Sequence, residues 1–250
     1  MAGHNKWSKV KHIKGPADAK RGKIFSKLAR EITMAAKTGG GDPATNFQLR
    51  TALQNARAQN MPSDTIDRAL KKGTGEIESQ TFQKVIYEGY GPAGVAIVIE
   101  AATDNKNRTA ADLRNIFSKH SGNLATSGSV MYLFEQKGEI VVDGETSDYT
   151  TFLDVFVESE AEHSYPAGPD HIVLTPPKQL HAIAESFRSA NILVTSEKLI
   201  YRPTTTVKIT DLPTAQQVAR LCEALDDCDD VLDAYPNLEV TAEISAVIGD

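Results

Sequence analysis

Residues 82–120 read FQKVIYEGYGPAGVAIVIEAATDNKNRTAADLRNIFSKH. Two apolar, β-branched runs, 82–90 and 94–101, flank the turn Gly89-Tyr90-Gly91-Pro92, which predicts an antiparallel hairpin. From 108 to 120 the period changes: Leu113, Ile116 and Phe117 recur at helical spacing. A hairpin followed directly by an amphipathic helix points to an α+β fold.

Toward the C-terminus the same alternation continues. The pattern predicts strands at 130–136 and 138–142, a helix at 148–158 and a strand at 170–175. A helix over 177–190, opened by Pro177, precedes strands at 192–201 and 204–209, a helix at 213–226 and a strand at 230–235. Helices interleaved with hairpins suggest α+β sandwiches of the split βαβ type, with enough chain for two of them. Toward the N-terminus three helices are expected. The first, 17–37, gathers Ile24, Phe25, Leu28, Ile32 and Ala35 on one face and ends at Gly39-Gly40-Gly41. The second has Asp42 as N-cap and Pro43 in its first turn, and runs to about Asn60 with Phe47, Leu49, Leu53 and Ala56 inward. The third, 64–72, is capped by Ser63, buries Ile66, Ala69 and Leu70, and stops at Gly73-Thr74-Gly75. Residues 1–16 are polar and basic and read as an arm.

Charge separates these regions. The chain of 250 residues carries a net −6, yet residues 1–75 hold 15 Lys/Arg against 5 Asp/Glu, and residues 76–250 hold 12 against 28. A basic front attracts polyanions over roughly a Debye length, about 8 Å at physiological salt, while an acidic body repels them and favours solubility. The alternative is a polarised but merely solvated surface. No apolar run is long enough for a membrane span, and no secretory signal is evident at the N-terminus. The two cysteines, Cys222 and Cys228, give no disulfide framework. A reducing cytoplasm is the expected location.

The candidate binding residues follow from that asymmetry. Lys6, Lys9, Lys11, Lys14, Lys20, Arg21, Lys23, Lys27 and Arg30 cluster within the first 30 residues against one acid, Asp18. Such a cluster beside a helix is the electrostatic footprint of phosphate binding. Replacing Lys20, Lys23 and Lys27 with Glu is expected to abolish binding and leave the fold intact. Trp7 either stacks on an exposed base or packs back on the helices. His12, like His4, can donate to phosphate or stay solvated; neither has the neighbours of a metal site. Asn105, Lys106, Asn107 and Arg108 precede a helix, where free N–H groups and the positive end of the dipole suit a phosphate or sugar. The competing reading is a polar loop capped by Asn107. Gly122 is the expected C-cap of that helix. The string Asp226, Asp227, Asp229, Asp230 and Asp233 opposes a helix dipole, and a solvated turn, a basic partner, intramolecular cations or a divalent ion could offset it. No phosphate-loop, nucleophile-elbow, HExxH or CxxC pattern occurs, so no enzyme, no cofactor and no metal is expected.

The opening MAGHNKWSKVKHIKGPADAKRGKIFSKLAREITMAAKTGGGDPATNFQLR resembles the YebC/PmpR family, which includes a mitochondrial translational activator of cytochrome oxidase. So do NMPSDTIDRALKKGTGE, YEGYGPAGVAIVIEAATDNKNRTAADLRNIFSKHSGNLATSGSVMYLF and LCEALDDCDDVLDAYPNLEV. Segment 140–170 matches the family pattern least. The resemblance implies three domains: a basic helical one over 1–78, and two ferredoxin-like α+β domains, with 137–203 inserted into a discontinuous 79–136 plus 204–250. It also implies a DNA-binding transcriptional regulator, with RNA, the ribosome and relief of translational stalling as the other line. The expected partners are therefore DNA or RNA and no membrane, with a monomer the favoured state.

Overall fold

The computed structural model describes residues 17–78, 82–145 and 147–241. The chain divides into two compact units, one of Met1–Arg30, Ser79–Glu135 and Tyr201–Asp250, the other of Glu31–Glu78 and Gln136–Ile200.

In the first unit, β1 (Gln83–Tyr90) and β2 (Ala96–Thr103) form the expected hairpin, joined by a 3₁₀ turn at Pro92–Gly94. Helix α4 (Lys106–Lys119) then leads to β3 (Asn123–Ala125), which returns to the far edge of β1. Because β2 and β3 both run antiparallel to β1, they are parallel to each other with β1 between them, a split βαβ unit. Helix α7 (Leu212–Asp226) delivers β9 (Val231–Pro236) to the free side of β2, giving the order β3-β1-β2-β9. Strands β8 (Val207–Ile209) and β10 (Leu238–Val240) pair separately and in parallel. Leu113 and Phe117 of α4 and Val218, Leu221, Cys222 and Leu225 of α7 close one core with Ile97 and Ile99. Gly89 is required there, because an added Cβ would lie 2.4 Å from the Phe117 ring.

The second unit holds all of α5 (Tyr149–Glu158), β5 (His163–Ala167), β6 (Asp170–Thr175) and α6 (Leu180–Ser189) and most of β4 (Phe134–Val142) and β7 (Val194–Pro203), in a βαββαβ order along the chain. Their sheet runs β5-β6-β4-β7, with β6 antiparallel to both β4 and β5. This is a second split βαβ arrangement, and its chain lies in sequence wholly between β3 and β8. Phe152, Ile183 and Phe187 pack on Ile140, Val142 and Val173. The helices α1 (Ala17–Gly39), α2 (Phe47–Ala58) and α3 (Ser63–Thr74) bury Ile32, Leu49, Leu53, Ala56, Ile66 and Ala69. The α+β class with leading helices is therefore the observed fold.

Several boundaries differ from expectation. Asp42-Pro43 opens a turn, not the second helix: Asp42 accepts from the Ala44 and Asn46 backbone N–H groups. The cap is Asn46, whose Oδ1 accepts from Leu49 N while its Nδ2 donates to Ala35 O and Gly40 O, so it satisfies two helix ends at once. Pro62 rather than Ser63 stands at the third N-cap, without a side-chain bond. The helix before residue 190 begins at Leu180, not at Pro177. Strands expected at 130–136 and 138–142 form one strand preceded by a 3₁₀ turn at Met131–Leu133. The strand expected at 192–201 extends to Pro203, and the short β3 and β5 were not anticipated.

Candidate nucleic-acid interface

Lys6, Trp7, Lys9, Lys11, His12 and Lys14 lie outside the described residues, as does the Lys20 side chain. Arg21 is exposed on α1. The next three cations of that helix meet the acidic string. Lys23 Nζ lies 2.6 Å from Asp227 Oδ1, with both side chains largely in solvent. Lys27 Nζ donates to Asp226 O at 3.0 Å and to Leu232 O at 3.4 Å. The Arg30 guanidinium donates to Asp229 O, sits 3.3 Å from Asp230 Oδ1 and stacks over the Phe82 ring at 5.1 Å.

This geometry answers what offsets the acidic string. Its carbonyls and carboxylates crowd the C-terminal end of α7, where the helix dipole is negative, and cations from α1 compensate both. The same geometry revises the expected variant. Lys27→Glu would set a carboxylate against two carbonyl oxygens, so a Lys20, Lys23 and Lys27 replacement is expected to lower stability as well as binding.

Asp230 is the hub. Only 6% exposed, its Oδ2 accepts from Arg108 Nη2 at 2.9 Å, Thr109 Oγ1 at 2.7 Å and Thr103 Oγ1 at 3.3 Å. Burial pushes the Asp230 carboxyl up, but hydrogen bonds from Arg108 and Thr109 and the charges of Arg108 and Arg30 outweigh it and hold the group below the usual carboxylate range. Arg108 also bonds Asp104 Oδ1 at 2.7 Å, and its two carboxylate partners raise its pKa.

At the start of α4, Asn105 rather than Asn107 is the N-cap, with Oδ1 accepting from Arg108 N at 3.1 Å. Thr103 Oγ1 accepts from Asn105 N, and Tyr87 donates to Lys106 O. Asn105, Lys106, Asn107 and Arg108 are all exposed, but the Arg108 guanidinium is committed to Asp104 and Asp230. Lys106 and Asn107 are thus the side chains of that group facing solvent at the helix start. After this helix Ser121, not Gly122, takes the left-handed backbone position (φ 58°); Gly122 is needed because a Cβ there would lie 2.7 Å from Tyr90 O.

Sequence reasoning passed over several buried carboxylates, Glu88 and Glu197 among them. Glu88 accepts from the backbone N–H of Gly128, Val130 and Met131 at 2.6, 2.7 and 2.9 Å. Burial pushes its pKa up, and those backbone bonds bring it below the ordinary value. Glu197, 0% exposed, accepts from Thr51 Oγ1 at 2.7 Å and Arg188 Nη2 at 2.9 Å, while Asn55 bonds its backbone. A charge inside an apolar strand run is the signal that would have found them. Cys228 is half-buried, and burial pushes its thiol up, which suits a structural thiol better than a nucleophile. Among the described residues no helix is long and apolar enough to cross a membrane.

Comparison with known proteins agrees with this architecture. The model of the TACO1/YebC N-terminal domain matches residues 5–76, and that of the TACO1/YebC second and third domain matches residues 82–238. A probable transcriptional regulatory protein from Desulfatibacillum aliphaticivorans is 48% identical over 96% of this chain and 97% of its own length. One of the same description from Methylacidiphilum infernorum is 45% identical over 98% of each chain. The crystal structure of a conserved hypothetical protein from Aquifex aeolicus superposes with a TM-score of 0.87 at 44% identity, covering 94% of this chain and 97% of that one. With both domain models matched in order along the chain, the protein belongs to the TACO1/YebC family.

Proposed function

We propose that the protein is a cytoplasmic, non-enzymatic regulator that grips the phosphate backbone of DNA and acts on transcription. The carrying observation is the segregation of charge, with 15 cations against 5 acids in the first 75 residues of an otherwise acidic chain. The relatives' description as probable transcriptional regulatory proteins supports a regulatory role. The gripping set comprises Lys6, Lys9, Lys11, His12, Lys14, Lys20, Arg21, Lys106 and Asn107, with Trp7 beside the first of them, while Asn105 caps the helix that carries Lys106 and Asn107. Lys23 joins by exchange, since an ion pair between two exposed groups contributes only about 0–1 kcal/mol and a polyanion can replace the acid. Lys27, Arg30 and Arg108 are instead bonded within the fold, to Asp226 O and Leu232 O, to Asp230, and to Asp104 and Asp230. The domains that carry it are 1–78, 79–136 with 204–250, and 137–203.

A second reading is binding to ribosomal or other structured RNA in support of translation. It is favoured by the basic arm with Trp7, since single strands and loops are recognised by stacking as well as by charge. Crosslinking in cells followed by sequencing of the bound nucleic acid separates the two. Discrete promoter DNA is the expected recovery; ribosomal RNA would replace the transcriptional reading with the translational one, and no enriched nucleic acid would refute both.

A further inference from the structure

The turn between β3 and β4 is fixed from several sides. Glu88, a buried carboxylate, receives the N–H groups of Gly128, Val130 and Met131. The Tyr90 hydroxyl donates to Ser129 O at 2.8 Å. Thr204 donates to Leu133 O through both its backbone N–H, at 2.8 Å, and its hydroxyl, at 3.0 Å. Gly128 holds φ at +86°, a conformation that side chains resist. A buried charge is costly unless satisfied, so this degree of satisfaction marks a segment held to one geometry.

What that segment presents is one aromatic ring. Tyr132, in the 3₁₀ turn Met131–Leu133, is 71% exposed, whereas Met131 and Leu133 on either side are partly buried. Among the described residues of the same unit, the other exposed large apolar side chains, Ile24 at 38% and Leu212 at 36%, belong to α1 and α7. The ring is flanked in the chain by the polar Ser127-Gly128-Ser129. A protein–protein hot spot sits at the centre of a contiguous packed patch. A stacked nucleobase needs only one accessible π-face held in place, and any base supplies its own.

We propose that Tyr132 is a stacking platform for an unpaired nucleobase, a contact separate from the phosphate grip. The inference rests on the nucleic-acid reading above and adds to it that the ligand carries single-stranded or flipped-out bases at this turn. Glu88, Tyr90 and Thr204 are positioning residues, which hold the platform without touching the base.

The test is fluorescence anisotropy of the full chain with a 12-nucleotide single-stranded RNA and with a fully paired duplex of the same sequence. Tyr132→Ala is expected to weaken single-strand binding roughly 5- to 150-fold, with the salt slope unchanged, and to leave duplex binding as in the wild type. Tyr132→Phe should bind like the wild type, and Tyr132→Leu should bind like the alanine variant. Wild-type affinity in Tyr132→Ala, or in Tyr132→Leu, overturns the stacking role while leaving the phosphate grip standing. A wild-type protein that binds the duplex but not the single strand overturns it also. Binding to neither polymer overturns both readings. Thermal melting by circular dichroism confirms that the variants are folded, as expected for so exposed a side chain.

Discussion

Replacing Asp230 with alanine removes the group on which four side chains converge. Thr109 and Arg108 bond it at 2.7 and 2.9 Å, and Thr103 and Arg30 lie at 3.3 Å. Hydrogen bonds to a charged group contribute about 1.5–3 kcal/mol each, so the gross loss is large. Part is recovered: Thr109 keeps Asn105 O and Thr103 Oγ1, and the half-exposed Arg108 rehydrates and keeps Asp104. A net destabilisation of about 2–4 kcal/mol remains at pH 7. In urea, with a slope of about 1–3 kcal/mol per molar, the midpoint falls by roughly 1–2 M. Asp227→Ala is the internal control, since its exposed pair with Lys23 is worth about 0–1 kcal/mol. The pH dependence has a definite sign. The Asp230 pKa is depressed in the folded protein, so its contribution is present above the unfolded value of about 3.9 and is lost as pH falls through the folded one. The gap between wild type and Asp230→Ala therefore narrows below about pH 4. Equal midpoints for Asp230→Ala and wild type at pH 7, or an equal loss in Asp227→Ala, would refute the hub.

Other substitutions separate holding residues from gripping ones. Lys27→Glu should lower the urea midpoint by the equivalent of about 1–3 kcal/mol, through carboxylate–carbonyl repulsion at the end of α7. Arg21→Glu should leave the midpoint unchanged and weaken polyanion binding. Glu197→Ala should cost about 3–5 kcal/mol, because Arg188 and Thr51 lose a fully buried acceptor; hydrogen exchange at α2 and α6 reports it. Gly89→Ala should destabilise by about 1–3 kcal/mol, since Phe117 must move to admit the methyl, and a calorimetric melt measures the shift.

Much of the fold was legible because local and long-range preferences agree. The run Val95–Ala102 is buried throughout, as its apolar residues require and with Glu100 among them, and Leu113 and Phe117 face the core as their spacing demands. Elements were missed where pairing alone makes the strand. β3 has three residues, and β5, His163–Ala167, contains Pro166; neither has the β-branched signature of an isolated strand. The second helix was misplaced because Asp42-Pro43 is a good local start signal. Asn46 prevails through bonds to Ala35 and Gly40, which no local pattern reveals. The interface shows the same limit. Charge counting found the basic front and the acidic string but not that Lys23, Lys27 and Arg30 meet residues 226–232, some 200 positions away in sequence.

The phosphate grip is tested most directly by equilibrium binding of the full chain to duplex DNA and to structured RNA across a salt series. The account predicts that log affinity falls linearly with log salt, by about 0.7–0.9 for each phosphate neutralised, and that Arg21→Glu and Lys106→Glu each make the slope shallower. Affinity independent of salt, or no binding to either polymer at about 50 mM salt, would contradict it.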